Sequence, residues 1–423
     1  MPKLALRGGS KIFPKPIAPQ WPIIDKTDER ALLKVFRSGQ WWRGGPIEAQ
    51  AASECGQFER AFADYHNSRH ALACSNGTIA VELALHAAGV QPGDEVIVPA
   101  LSFVVSASAV LPLNAVPVFV DCDPLTLQPD ADSIEAAISP RTRAILVVHF
   151  GGYPADLDRI VKIARKHKLP LIEDCAHGQG SQWRNKGVGT YGDYGTFSFQ
   201  QSKGLTCGEG GIVLCRTQRH WHRAYRYHNL GRLEDKGFYD FYQMSSNYRL
   251  TDLQGALLNT QLPKLKKQLP KKMKGAAYLS SQFRQLGGLE PLPDDARITR
   301  RGYYYYLLQY DADQFKGISR ALFRQAVAAE GVPLGQAYGK AIHKYPLFQT
   351  WKNPRKYKNA QYKKTSCPHA ERAATQTICT LAHAVLLSDR KTLSGIVEAV
   401  AKVKENVDEL VAMEKGNRKG KKK

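Results

Sequence analysis

Apolar residues fall along the first half of the chain in two alternating rhythms. Short, nearly unbroken runs occur at HALAC (70–74), EVIVP (95–99), PVFVD (117–121), AILVVHF (144–150), LPLIED (169–174), GTFSF (195–199) and GIVLC (211–215). Runs of this length, rich in Val, Ile and Phe, predict strands buried on both faces. Between several of them the apolar positions return every three or four residues instead. DLDRIVKIARKHK sets Leu157, Ile160, Val161 and Ala164 on one face of a helix, and GTIAVELALHAAGV is a second helical stretch. Strands alternating with helices predict a parallel sheet covered on both faces, with a ligand site outside the carboxyl ends of the strands.

The pattern changes in the second half. RLTDLQGALLNTQLPKL (249–265) reads as a helix with a proline near its end, and GGLEPLPDD as a linker. A strand-like YYYYLLQYD, a helical ISRALFRQAVAAEGV and a final helix from Asp389 to about Glu414 follow. At 423 residues two domains are expected. The reading is an N-terminal arm (1–30), a large α/β domain (31–264), a smaller α+β domain (265–414) and a disordered basic tail (415–423). The lysine-rich stretch at 340–364 reads as a loop-rich insertion.

Composition narrows the classes. No stretch approaches the roughly 20 apolar residues of a membrane span, and the N-terminus lacks a secretory pattern, so the cytoplasm is expected. Eight cysteines show neither CxxC pairs nor zinc-type spacing, which predicts reduced structural thiols and no metal. Cys207, close to Lys203, is the one with a reactive alternative.

The 60 basic against 38 acidic residues give +22. The excess is partly localised in LPKLKKQLPKKMKG (262–275) and KGNRKGKKK (415–423). Such a field suits anionic partners, but no aromatic interleaving or helix-turn-helix, RRM or zinc-finger pattern accompanies it. Solvated lysines and a frayed tail that attracts anions are therefore expected, rather than nucleic-acid binding as the main role.

Three features gather at predicted strand ends. In SNGTIAVELAL, Gly77 and Thr78 open a helix whose free N–H groups and dipole suit a phosphate, although NGT is also an ordinary turn. In LPLIEDCAHGQGS, Asp174 ends a buried strand, where a carboxylate needs a partner. A protonated pyridine nitrogen, an arginine or a nest of backbone donors would each serve. His177, three residues on, either lies over a planar ring or caps the turn. In FSFQQSKGLTCGEGG, Ser198 and Lys203 bring a hydroxyl and an amine to one strand-to-loop connection. A desolvated lysine there loses its proton readily and becomes a nucleophile. Phosphate cradle, carboxylate and lysine together match the needs of pyridoxal phosphate.

With SNGTIAVELAL, VPALSFVVSASAVL, PVFVDCDPLTLQPD, IEDCAHGQGS, FSFQQSKGLTCGEGGI and NYRLTDLQGALLNTQL in this order, the chain resembles the DegT/StrS family of PLP-dependent sugar and cyclitol aminotransferases. The resemblance implies an aspartate-aminotransferase-type (PLP fold type I) large α/β domain with a mostly parallel sheet, plus a smaller C-terminal α+β domain. It implies that Lys203 forms the Schiff base with pyridoxal 5'-phosphate and Asp174 pairs with the pyridine nitrogen. His177 and Phe103 match the positions on the two ring faces. Gly77, Thr78 and Ser198 match phosphate-binding positions, and Gln200 lies near the cofactor. Asn247 matches an asparagine that reaches the phosphate of the neighbouring subunit, which implies a homodimer with shared active sites.

LALRGGSKIFP, RYHNLGR (226–232) and FQQSKGLTCGEGG look most like the branch of glutamine:scyllo-inosose aminotransferases and 3-amino-5-hydroxybenzoate synthase. The expected donor is L-glutamine or L-glutamate and the acceptor a keto-cyclitol or keto-sugar. A nucleotide-linked keto-sugar acceptor, or a non-catalytic protein on this fold, are the alternatives. A related dehydratase carries histidine where Lys203 stands. The lysine-rich 262–275 segment and the basic tail depart from the family pattern. His343 and His383 resemble substrate-side positions without carrying a site assignment.

Overall fold

All seven apolar runs of the first half become strands of one sheet: β1 (His70–Cys74), β2 (Glu95–Pro99), β3 (Val116–Val120), β4 (Thr142–Val148), β5 (Leu171–Asp174), β8 (Tyr194–Ser198) and β9 (Gly211–Cys215). A two-residue hairpin, β6 (Gln182–Trp183) and β7 (Lys186–Gly187), lies between β5 and β8. The computed structural model describes residues 3–350 and 362–420, with side chains to 415. The sheet order is β1-β9-β8-β5-β4-β2-β3. Pairing is parallel from β3 to β8, while β9 runs antiparallel to both β8 and β1. The sheet is thus mostly parallel, as expected, with the exception at β9. Its connection from β8, residues 199–210, holds no helix, and a parallel return needs a crossover of a dozen or more residues, usually helical.

Every residue of β2, β8 and β9 is buried, because layers pack on both faces. Helix Gly77–Ala87 covers one face with Ala80, Val81, Leu83 and Ala84. On the other, helix Glu54–His66 brings Phe58 and Phe62 against Phe197 and Phe199.

The 35-residue helix Asp252–Leu286 joins this layer to the next. Its Leu258, Leu262, Leu265 and Leu269 enter the core under the large sheet, and Ala276, Leu279 and Phe283 enter a second core. The division expected at residue 265 falls inside this helix. The helix expected to close at Leu265, just past Pro263, runs on to Leu286 with both Pro263 and Pro270 inside it. A mid-helix proline costs about 3 kcal/mol, and the leucine stripe continues in register across both, so burial outweighs the lost bonds.

The second core lies under a three-stranded antiparallel sheet of β10 (Leu289–Pro291), β11 (Tyr305–Tyr310) and β12 (Ile378–Ala382), backed by helices Arg320–Ala329 and Arg390–Glu405. The single final helix expected to about Glu414 is two, Arg390–Glu405 and Val407–Gly420. The second runs into the segment expected to be disordered, and 421–423 lie outside the described residues. The expected insertion at 340–364 contributes Ile342, Phe348 and Tyr362 to the main core, and 351–361 lie outside the described residues.

Two lysines of the 262–275 segment are not the solvated charges expected. Lys264 pairs with Asp25 at 3.0 Å and with Asp28, and Lys272 is fully buried. Arm and C-terminal layer are tied by Glu330, which accepts N–H bonds from Ala5 and Ile12 and the ammonium of Lys402 at 2.8 Å. No helix among the described residues is long and apolar enough to cross a membrane.

Candidate active site

At the carboxyl ends of β5 and β8 a cavity of about 750 Å³ opens. Gly77, Thr78, Phe103, Asp174, His177, Ser198, Gln200 and Lys203 all line it. Its floor is one close approach. The helix beginning at Gly77 packs so tightly on the end of β8 that a Cβ at Gly77 would sit 2.5 Å from Ser198 Cβ. Asn76 caps this helix, accepting the Ile79 N–H through its side chain and the Ala80 N–H through its carbonyl. The N–H groups of Gly77 and Thr78 precede these bonds and belong to the unsatisfied positive end of the helix. With the Thr78 and Ser198 hydroxyls they form a donor set fit for a phosphate.

Asp174 is buried, 6% exposed. Its Oδ1 accepts the Ala176 N–H at 3.0 Å and its Oδ2 the Ser106 hydroxyl at 3.1 Å. Among the described residues no cation forms an ion pair with it, so burial raises its pKa despite the Ala176 bond and the more distant Lys203. A carboxylate held this way fits a protonated ring nitrogen better than water.

Lys203 lies in the β8–β9 connection, half-buried at the cavity, its Nζ 4.2 Å from the centre of the Tyr304 ring. Desolvation lowers its pKa, against the opposing pull of Tyr304 and Asp174. Burial, with help from the Lys203 charge, drives His177 well below its usual value, so its ring is neutral. Nδ1 of His177 accepts the Gly151 N–H at 3.2 Å. The ring proton therefore sits on Nε2, which donates to the Tyr338 hydroxyl at 3.0 Å. The imidazole also stacks on Tyr304 at 4.1 Å. Phe103 stands half in solvent at the opening, 5.6 Å from Tyr338. Gln200 turns inward on its own loop, accepting from the Ser202 N–H and hydroxyl.

Asn247 lies apart from the cavity, bridged to Asn229, with its side chain accepting the Arg249 N–H. His343 is also remote, paired with Glu371 at 2.9 Å. His383 lies beneath the Lys203 loop, donating to the Ser202 carbonyl at 3.1 Å. All eight cysteines are free, and burial pushes the Cys207 thiol pKa upward, which leaves it a poor nucleophile. Sequence reasoning did not single out Tyr304, Tyr338, Ser106 or Glu209 at this site. YYYYLLQYD reads as a strand with no mark on its second tyrosine, and Tyr338 and Ser106 carry no local signal.

A family model described as the DegT/DnrJ/EryC1/StrS aminotransferase family matches residues 22–401. The chain belongs to that family. Among relatives of this aminotransferase, L-glutamine:2-deoxy-scyllo-inosose aminotransferase from Micromonospora echinospora is 38% identical over 97% of this chain and all of its own. The enzyme of the same name from Streptomyces kanamyceticus is 36% identical over 95% of this chain and 96% of its own. 3-Amino-5-hydroxybenzoate synthase from Amycolatopsis mediterranei is 35% identical over 91% and 97%.

Solved structures agree in fold. 3-Amino-5-hydroxybenzoic acid synthase superposes with a TM-score of 0.81 at 33% identity, covering 92% of this chain and 98% of that one. NtdA from Bacillus subtilis, solved with bound cofactor PMP, gives 0.76 at 26% identity, covering 90% and 82%.

Proposed function

We propose that this aminotransferase uses pyridoxal 5'-phosphate to move an amino group from L-glutamine to a keto group on a cyclitol. The observation that carries it is the cavity itself. It sets a lysine, a buried carboxylate with no ion-pair partner among the described residues and a helix N-terminus at the ends of adjoining strands. The relatives named for glutamine and a scyllo-inosose support the choice of donor and acceptor.

When bound, the cofactor supplies an electrophilic carbon and a conjugated ring that accepts electron density. Each residue has a task around it. Lys203 Nζ would be the attachment point and, once free, the base and acid that carries a proton between the substrate Cα and the cofactor carbon, in one direction in the first half of the exchange and in the other in the second. The Asp174 carboxylate would keep the ring nitrogen protonated. Neutral His177 and Phe103, both lining the cavity, would hold the ring between them. Gly77, Thr78 and Ser198 would hold the phosphate end, with Gln200 near the cofactor and Asn247 joining them across a homodimer with shared sites. The eight free cysteines fit a reducing, cytoplasmic setting.

The test is the visible spectrum of protein loaded with pyridoxal phosphate, before and after L-glutamine, then turnover with 2-deoxy-scyllo-inosose. Loss of the band on adding glutamine, and amination of the keto-cyclitol, are expected. In Lys203→Ala the band and turnover vanish while far-ultraviolet circular dichroism is unchanged. A band insensitive to glutamine sinks the donor assignment. Turnover of a nucleotide-linked keto-sugar with none of the cyclitol sinks the acceptor.

A further inference from the structure

The two peptide carbonyls just before Lys203 are each held by a side chain from a distant part of the chain. The loop between β8 and β9 satisfies part of its own backbone: Phe199 N–H bonds to Gly210, Gln201 N–H to Gly208 and Lys203 N–H to Gln200. The Gln201 carbonyl instead accepts from Trp21 Nε1 at 3.1 Å, across 180 residues. The Ser202 carbonyl accepts from His383 Nε2 at 3.1 Å, across 181 residues in the other direction. The two donors touch each other, their rings meeting edge to face at 4.3 Å. His383 also donates its backbone N–H to the Tyr304 carbonyl at 3.3 Å. Tyr304 in turn bonds the Ser202 hydroxyl at 3.0 Å and lies under Lys203 Nζ.

Behind this pair stands Lys272, which the reaction does not use. It is fully buried, and among the described residues its Nζ has no hydrogen-bond partner. Burial draws its pKa down to about 7. Nζ lies over the Trp21 ring, 5.2 Å from its centre. Nζ also lies 3.8 Å from where a Cβ on Gly204 would be. A lysine is costly to bury without a partner, and a cation over an indole face recovers part of that cost.

We propose that Trp21 and His383 are positioning residues for Lys203, gripping the two carbonyls that set its backbone direction, with Lys272 bracing Trp21 from behind. The inference rests on Lys203 being the attachment point. Neither donor lines the phosphate cradle, so their loss slows the approach of the Lys203 amine to the aldehyde and leaves cofactor binding intact.

The experiment mixes apoprotein with pyridoxal phosphate and follows the visible band. It separates the rate constant at saturation from the half-saturating concentration. Affinity for 4-deoxypyridoxine 5'-phosphate, which lacks the aldehyde, is measured alongside. Trp21→Phe keeps the ring and loses the donor, and His383→Leu loses the other donor. Each is expected to lower the rate constant about tenfold, the weight of one positioning bond, with half-saturation and deoxypyridoxine phosphate affinity within about twofold of wild type. His383→Gln, whose amide reaches the Nε2 position, restores most of the rate. Lys272→Met slows capture and Lys272→Arg does not.

Rate constants near wild type in both donor variants overturn the proposal. So does a loss of deoxypyridoxine phosphate affinity in step with the rate, which is what a merely structural role produces. Lys203→Ala separates the two levels. If it lacks the band while Trp21→Phe and His383→Leu capture normally, only the grip is wrong. If it keeps the band, the attachment point itself is wrong.

Discussion

Replacing Gly77 by alanine tests the floor of the site at a single atom. The new Cβ would stand 2.5 Å from Ser198 Cβ, 2.9 Å from its Oγ and 3.1 Å from its Cα. Carbon atoms rest comfortably about 3.5–4.0 Å apart, so the helix start and the strand end must part by about 1 Å. The obstacle is largely backbone-anchored, since Cβ and Cα cannot rotate away. Overpacking of this kind costs about 1–3 kcal/mol. Against it stands the gain of alanine over glycine in a helix, up to about 1 kcal/mol. Overpacking wins, and a net loss of about 1–2 kcal/mol is expected in urea unfolding of the apoprotein.

Pyridoxal phosphate affinity should fall at least about tenfold, because the same shift spreads the phosphate donors. The cycle with Ser198→Gly isolates the cause. Removing the serine side chain relieves the two shortest contacts, so the double variant should recover about 1 kcal/mol relative to additivity. A Gly77→Ala protein as stable as wild type, with no coupling to Ser198→Gly, would refute the close approach.

Asp174→Asn keeps the hydrogen-bonded shape while removing a charge that burial penalises. The folded pKa of Asp174 is raised, so its ionisation costs stability as pH rises past the unfolded value of 3.8. The asparagine apoprotein should therefore be more stable than wild type at neutral pH, with the difference closing below about pH 4, yet nearly inactive. His66, fully buried, is pulled down to about 3 by burial. Its neutral form stabilises the fold above 6.5, and that stability is lost as pH falls toward 3. In His66→Asn the slope of unfolding free energy between about pH 5.5 and 4 should be shallower by up to about 1.4 kcal/mol per pH unit, and an unchanged slope rules this out. Lys402→Met strands Glu330 as a buried charge, and a loss of about 3–5 kcal/mol is expected in urea titrations.

The strands were legible because each is a buried run bounded by polar or turn residues, a signal confined to a few neighbours. Gly77, Asp174 and Lys203 were legible for a related reason, each standing where such a run ends. The direction of β9 was not read from its apolar run, since GIVLC looks the same in either sense and the connection decides. Nor was the passage of a helix through Pro263, where a leucine stripe shared by two cores overrides a local breaker. Tyr304, Tyr338 and Trp21 escaped because they reach the site from over a hundred residues away, and no spacing within one segment announces such a meeting.

The grip on the Lys203 loop carries a consequence for synthesis. Translation delivers Trp21 first, then the loop, and His383 only after about nine-tenths of the chain. While a nascent chain is still on the ribosome, the first carbonyl can be held and the second cannot. The Lys203 loop thus acquires both of these restraints only when β12 and the residue after it have emerged, and a truncated product ending before residue 383 would carry the lysine without its second hold.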